Sequence, residues 1–467
     1  MKSKIAQLLV IGAGAWLLIA APALTQTSPD WPKNFAEALK NLQELVKIDT
    51  SNPPGNETKV AQYVKAILDK EGIPAELVAS EPGRANVIAR LKGNGKKRPI
   101  LLAGHSDVVG VEREKWTEDP FGGAIKDGFI YGRGAYDDKD NLAVSLQVVL
   151  MLHRMKVPLD RDVILLSEAG EEGGGNVGMG FLVNQHWDKI ESEYAILEGG
   201  ETLLGPNGKI ISFGVSTTEK VPNGTRLVAK GTSGHGSIPR PDNPIVHLAA
   251  AVAKLGEFQP PMRLNETTRT YFQRLALISS PEDAFMYTHL EDPVLGPAIQ
   301  EKLRTTKLTL NSMLRTSISP NIIKGGFRSN VIPGDAEATL DIRALPDEDM
   351  GEFIAMLKRI VNDPAVEVIG PSGGGRPKSV PSRLDSDLFK ALEKAQAAVL
   401  PGAVTLPMMV TGATDGAQLR GKGVQVYGVG SVNEGRLHGN DERISIDGFN
   451  KLLEIVYRAV VEVAAAK

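Results

Sequence analysis

The chain has 467 residues, with 42% hydrophobic and 23% charged residues and a formal net charge of −3 at pH 7. This is ordinary globular usage, which excludes a largely disordered chain, a collagen and a coiled coil, and speaks against a general nucleic-acid binder. There is no cysteine, so disulfides, thiolate nucleophiles, zinc fingers and iron–sulfur clusters are excluded, and a metal site must use His, Asp and Glu; only seven His are present.

Lys2 and Lys4 precede an apolar run from Ile5 to Ala21, followed by Ala21-Pro22-Ala23. A charged start, an apolar stretch and a small-x-small site form a secretory signal, so residues 1–23 are expected to be cleaved. That implies a secreted or periplasmic protein with no membrane attachment after cleavage. Residues 31–48 read as an amphipathic helix through Phe35, Leu39, Leu42, Leu45 and Val46. The Pro/Gly/Asn-rich segment 51–56 is a loop, and 59–71 is a second helix. Short strand-like runs follow at 75–79, 85–91 and 100–103, then a helix over 142–152 and further runs at 163–166 and 194–197. Short apolar runs alternating with helices predict an α/β sheet buried on both faces.

The pattern changes near Pro222. The spacing predicts a strand over 225–230, a helix over 244–255, a strand over 336–343, a helix over 350–361 and a strand over 366–369. Residues 257–326 read as polar and irregular. A β-α-β-β-α-β order with an insertion resembles a ferredoxin-like unit. The Gly/Pro-rich segment 370–378 reads as a hinge; a helix over 384–399, a strand over 424–429 and a helix over 445–465 follow. The expected division is 31–221 and 373–467 as two parts of one catalytic α/β domain, with 222–372 inserted as an α+β lid or dimerisation domain.

Ligands of open α/β sheets sit beyond the carboxyl ends of strands. His105 and Asp107 follow the 100–103 run, Glu171 and Glu172 follow 163–166, Glu198 ends 194–197, and His438 follows 424–429. Asp137 and Asp138 open the 142–152 helix. Such a set suits two-metal hydrolysis: imidazole and carboxylate bind zinc, a carboxylate bridges the ions, and a further carboxylate takes a proton from water. Of the adjacent acids Glu171 and Glu172, one can ligate while the other acts as base. Glycines 170 and 173–175 allow the backbone the unusual dihedrals this requires. Arg133 and Lys139 are expected to neutralise the acidic cluster. His153, His186, His247 and His289 lack strand-end context and read as structural or surface residues.

The motifs Gly104-His105-Ser106-Asp107, Gly132-Arg133-Gly134-Ala135-Tyr136-Asp137-Asp138-Lys139, Glu171-Glu172-Gly173, Gly234-His235-Gly236-Ser237, Asn330-Val331-Ile332-Pro333 and Leu437-His438-Gly439-Asn440-Asp441-Glu442 occur in order. As a set they resemble the di-zinc exopeptidase family of aminoacylase, carboxypeptidase G, yeast carboxypeptidase S and succinyl-diaminopimelate desuccinylase. The likeness spans roughly residue 34 to the C-terminus. It implies one zinc on His105 and Glu198, a second on Glu172 and His438, and Asp137 between them, with cobalt or manganese as possible substitutes. It implies Glu171 as general base, Asp107 orienting His105, and His235 stabilising the oxyanion, reaching across a homodimer. Asn330 and Arg343 would hold the substrate carboxylate or the oxyanion, with Gly412 and Asp415 in a substrate loop. Two departures are Asp140, where the family usually has Gly, and Glu168-Ala169-Gly170, where a further acid often stands.

The expected activity is cleavage of an amide next to a free carboxylate in a small peptide, with N-acyl amino acids as the alternative substrate. Trp116–Phe121 and the 257–326 insertion look most like the carboxypeptidase S branch, and Met262, Phe272, Phe285, Met286 and Tyr287 are candidates for an apolar acyl pocket, although such residues more often form an insertion's own core. The reading from another class is a non-catalytic metal-binding protein, whose mark would be a lost ligand or base.

Overall fold

The computed structural model describes residues 28–371, 376–431 and 436–466; the expected leader, 1–23, lies outside the described residues. A nine-stranded sheet runs in the order Ala75–Ala79, Ala85–Leu91, Val163–Glu168, Ile100–His105, Tyr194–Leu197, Gln425–Gly428, Ile210–Glu219 and Val404–Val410, with Thr202–Leu204 paired beside Ile210–Glu219. The four central strands, from Val163–Glu168 to Gln425–Gly428, are mutually parallel. Their carboxyl ends therefore share one edge. Val163–Glu168 and Ile100–His105 are buried along their whole length, as parallel strands covered on both faces must be.

Five helices cover one face: Trp31–Val46, Glu57–Lys70, Lys139–Arg154, Asp387–Val399 and Ile446–Ala464. Met179–Gln185 and Trp187–Ile190 pack on the other, with Leu419 from Gly416–Gly421. Lys139–Arg154 is buried from Lys139 to Leu152, which explains why its sequence shows little amphipathic stripe. It starts three residues before the expected point.

A separate four-stranded antiparallel sheet is inserted, in the order Ser317–Gly325, Asp335–Ala344, Val221–Lys230 and Val366–Ile369. Helices Pro244–Glu257 and Met350–Val361 close one face through Leu248, Leu255, Phe353 and Leu357. The chain order is β-α-β-β-α-β, as the ferredoxin-like reading predicts. Alternate burial along Asp335–Ala344 reflects one covered and one open face. Ser317–Gly325 is an edge strand, and Ile322, Ile323, Val246 and Phe327 are exposed beside it.

The insertion departs from the sequence reading. Residues 257–326 are not irregular: they form helices Glu266–Ala276, Pro281–Thr288, Gly296–Thr306 and Leu308–Met313, then the edge strand. Two of these helices have only eight and six residues, too short to show helical periodicity. Their caps are local: Asn265 and Thr268 form a capping box, and Ser280 caps a helix that opens on Pro281. The strands Ile210–Glu219 and Val404–Val410 also escaped the sequence reading, being mostly buried and without clean alternation. The insertion packs on the latter through Leu406 and Met409. Among the described residues no helix is long and apolar enough to cross a membrane.

Candidate metal centre and active site

Parallel pairing puts the ends of four central strands together, and the predicted donors gather there. His105 ends its strand, with its ring buried. Its Nδ1 lies 3.0 Å from the backbone O of Asp107 and 3.5 Å from that residue's carboxylate. A protonated Nδ1 leaves Nε2 as the free donor atom, and Nε2 faces Asp137 Oδ1 at 2.9 Å. Asp137 turns its other oxygen to His438, Nε2 to Oδ2 being 2.9 Å. Glu172 Oε1 lies 3.2 Å from the same His438 nitrogen. Two donor sets result, His105–Asp137–Glu198 and Asp137–Glu172–His438, each with its atoms within 4.8 Å of one another.

A small antiparallel sheet brings His438 to this edge. Arg443–Ser445 pairs with Phe129–Tyr131, placing the two motifs side by side. Glu442, fully buried, accepts the backbone N–H groups of Tyr136 and Asp137 and pairs with Arg133. Arg133 also donates to the backbone O of His438 at 3.1 Å. Arg133 thus has the neutralising role expected of it, toward Glu442. Lys139 does not pair with an acid: its ammonium donates to the carbonyl of Ile48. Glu442 was overlooked in the sequence, although it closes the Leu437–Glu442 motif.

Asp107 has a wider role than orienting His105. Its two oxygens accept the N–H groups of Glu171 and Glu172 at 3.0 and 3.1 Å, and Asn52 donates to it at 2.7 Å. It therefore fixes the turn that carries both glutamates. That turn needs glycine: Gly170 has φ +73°, and a Cβ there would meet Val177 Cγ2 at 2.3 Å. The adjacent side chains diverge. Glu172 turns to His438, while Glu171 accepts from Arg376 Nη2 at 3.0 Å. Burial and the neighbouring Asp415 push the Glu171 carboxyl up to about 8. Arg376 went unnoticed because it stands in a segment that reads only as a hinge.

The donor atoms suit divalent cations. A single His438 nitrogen faces oxygens of both Asp137 and Glu172, and one N–H cannot serve two carboxylates fully. These two acids push the His438 imidazole up to about 10. Imidazole nitrogen with carboxylate oxygen is the donor chemistry of zinc, and cobalt and manganese accept it as well.

A cavity of about 700 Å³ opens beside the cluster. Its lining includes Asp137, Glu171, Glu172, Glu198 and His438 at one end, and Tyr271, Met313, Met408 and Met409 further out. Arg343, Arg376 and Gly412 also line it. Of the two settings open to the insertion's apolar residues, the core is the one most of them take. Phe272, Met286 and Tyr287 are buried in the insertion's own core, Met262 packs against it, and Phe285 stacks on His289 at the surface.

Three predicted substrate residues fall elsewhere. His235 is exposed on the inserted domain, its Nδ1 2.7 Å from Ser237 Oγ. Asn330 sits next to it, where Gly236 N–H donates to its carbonyl. Neither lines the cavity, so the expected Asn330–Arg343 clamp does not form within one chain. The reason is topological: Gly234–His235 and Val331–Ile332 pair as a separate two-stranded element, while Arg343 lies near the end of Asp335–Ala344 and pairs with Pro222, where the chain enters the inserted domain. Arg343 is held by Asp341 at 2.9 Å. The buried Asp415 lies behind the cavity wall, 3.6 Å from Arg376 Nη1. Of the remaining histidines, His247 pairs with Asp363 and His186 packs on Phe181.

Residues 101–462 match the model of peptidase family M20/M25/M40. The chain belongs to this family. It is 32% identical over 377 residues to a Dictyostelium discoideum protein named probable carboxypeptidase S-like 2, covering 78% of this chain and 71% of that one. It is 28% identical over 444 residues to human N-fatty-acyl-amino acid synthase/hydrolase PM20D1, covering 91% and 86%. The fold is similar to that of the M20 family metallo-carboxypeptidase Sso-CP2 from Sulfolobus solfataricus, with a TM-score of 0.69, 22% identity and coverage of 91% and 99%. Human carnosine dipeptidase 1 follows with a TM-score of 0.62, 16% identity and coverage of 93% and 99%. As a member of the M20/M25/M40 family, the chain is a hydrolase of peptide or amide bonds.

Proposed function

We propose that this chain is an exported di-zinc hydrolase that cleaves the amide bond next to a free carboxylate in small peptides, as a carboxypeptidase or dipeptidase does. One observation carries the reading: Asp137 presents its two oxygens to His105 and His438, with Glu198 and Glu172 completing a donor set on either side. His105, Asp137 and Glu198 would hold one ion, and Asp137, Glu172 and His438 the other. Bound there, two divalent ions would polarise the amide carbonyl and acidify a water molecule.

The protein's own groups do the rest. Glu171 takes the proton from the attacking water and delivers it to the leaving amine nitrogen. Asp107 holds His105 and the backbone of both glutamates in register. Arg343, at the cavity wall, pairs with the substrate carboxylate, and the backbone around Gly412 borders the same space. His235 and Asn330 stand apart from this chain's own cavity, which supports a homodimer in which each chain's inserted domain completes its partner's site. The exposed edge strand Ser317–Gly325 supports that assembly. Export is supported by Lys2, Lys4 and the apolar run that ends at Ala21-Pro22-Ala23.

A second substrate reading has its own support. Tyr271, Met313, Met408 and Met409 form an apolar stretch of the cavity wall, as an acyl chain requires, and relatives named N-fatty-acyl-amino acid synthase/hydrolase match over most of the chain. Dipeptides, N-acetyl amino acids and N-long-chain-acyl amino acids, assayed with and without chelator, test both readings. Chelator-sensitive cleavage of dipeptides supports the first, and preference for long acyl chains the second. No metal uptake after reconstitution would overturn both.

A further inference from the structure

Arg376 stands on the segment that returns from the inserted domain, between Val366–Ile369 and Asp387–Val399. It is the one residue of that described segment hydrogen-bonded to Glu171. Its side chain is only 16% exposed, and Nη2 donates to Glu171 Oε1 at 3.0 Å. Nη1 makes no hydrogen bond and lies 3.6 Å from Asp415 Oδ1 and 3.9 Å from Glu219 Oε1. The platform beneath it is rigid. Glu219 is held by the N–H and hydroxyl of Thr414 and by Arg420. Glu171 is thus gripped twice: its backbone by Asp107, its carboxylate by Arg376.

We propose that Arg376 is a positioning residue for Glu171, holding one carboxylate oxygen so that the other is presented to the reacting water. The proposal rests on the amide-hydrolase reading in which Glu171 is the base. A buried carboxylate next to Asp415 and Glu198 is repelled from the cavity end on which it must act, and a fixed guanidinium opposes that repulsion at little entropic cost. The contact is end-on, through one oxygen, which leaves the second for proton transfer.

The test is a double-mutant cycle between Arg376 and Glu171 in the full metal-loaded chain, with metal content and melting temperature measured for each variant. Arg376→Ala is expected to lower kcat by about 10²-fold, the scale of a misplaced catalytic group, with KM changed less than about threefold. Arg376→Lys, and free guanidinium ion added to Arg376→Ala, are expected to restore part of the loss. In a Glu171→Gln background, Arg376→Ala should cost nothing further. Should Arg376→Ala leave Asp415 uncompensated and unfold the chain, Arg376→Ala combined with Asp415→Asn serves as the second variant, with the same expectation. A rise in KM with unchanged kcat would make Arg376 a substrate-binding cation and overturn the proposal. So would an undiminished Arg376 effect in the Glu171→Gln background. If Glu171→Gln itself keeps full turnover, the base assignment fails first, and the two failures are told apart.

Discussion

His438 Nε2 lies 2.9 Å from Asp137 Oδ2, although the two residues are 301 positions apart. This contact joins the two chain segments that flank the inserted domain at the candidate metal centre. Asp137 is buried, while the His438 side chain is 47% exposed. The buried partner is the more demanding of the two, because its two oxygens have two histidines to serve.

Metal removal is expected to abolish hydrolysis and lower the melting temperature. An ion bound only to the native chain stabilises it by about 2.7 kcal/mol at a hundredfold excess over Kd. Differential scanning calorimetry before and after chelation, with elemental analysis, checks this. Asp137→Asn should lose metal from both sets, whereas His438→Ala should lose it from one.

Glu171→Gln removes the proposed base while leaving Glu172 and the backbone N–H contacts to Asp107 in place. Turnover should fall by about 10²–10⁴-fold with metal content unchanged. Stopped-assay kinetics on the preferred substrate, alongside elemental analysis, decide it; turnover equal to that of the unsubstituted enzyme would remove Glu171 from the mechanism.

If His235 serves the partner's site, two inactive variants should complement each other. A mixture of His235→Ala and Glu171→Gln chains, dissociated and reassociated, forms mixed dimers with one complete site. Activity should return to about a quarter of the full value, as two-fold symmetry dictates. No recovery, with mixed dimers shown by native mass spectrometry, would place His235 in its own chain's site or outside catalysis.

The inserted domain carries a pH-sensitive contact of its own. His247 donates through Nδ1 to Asp363 at 2.6 Å and through Nε2 to the Pro241 carbonyl at 3.1 Å. Both partners are acceptors, so the doubly protonated imidazolium is favoured. The Asp363 contact raises the His247 pKa, and His247 lowers that of Asp363. The histidine contribution is complete below its unfolded pKa of about 6.5 and is lost as pH rises through the higher folded value. The pair is half-buried at the surface, within reach of solvent screening, so the effect should stay near or below about 1 kcal/mol. Thermal melts across this range should show the decline, and His247→Gln should flatten it.

Replacing Arg133 by Ala should destabilise the centre more than any surface change. It leaves Glu442 buried without its cation, a loss of about 3–5 kcal/mol for a broken buried pair. Glu442 holds the N–H groups of Tyr136 and Asp137, so metal affinity should fall too. Denaturant unfolding and metal titration of Arg133→Ala measure both.

The candidate cluster of His105, Asp107, Asp137, Glu171, Glu172, Glu198 and His438 was legible in the sequence because each stands near a strand end or helix start, and parallel strands bring such ends to one edge. Strand and helix periods are local, so three strands and both helices of the inserted ferredoxin-like unit were legible as well, while the mostly exposed edge strand Ser317–Gly325 was not. Tertiary structure alone decided what the donors meet. Arg376 reaches Glu171 across 205 positions and Glu442 reaches Tyr136 across 306, and no spacing rule encodes such contacts. Whether Phe272 and Tyr287 line a pocket or fill the insertion's own core was open in the sequence, because apolar character serves both settings; packing places them in the core. His235 and Asn330 carry the family motif, yet their paired strands hold them on the inserted domain, away from this chain's own cavity. Local pattern specifies chemistry at each strand end, and the association of distant segments specifies which end faces which.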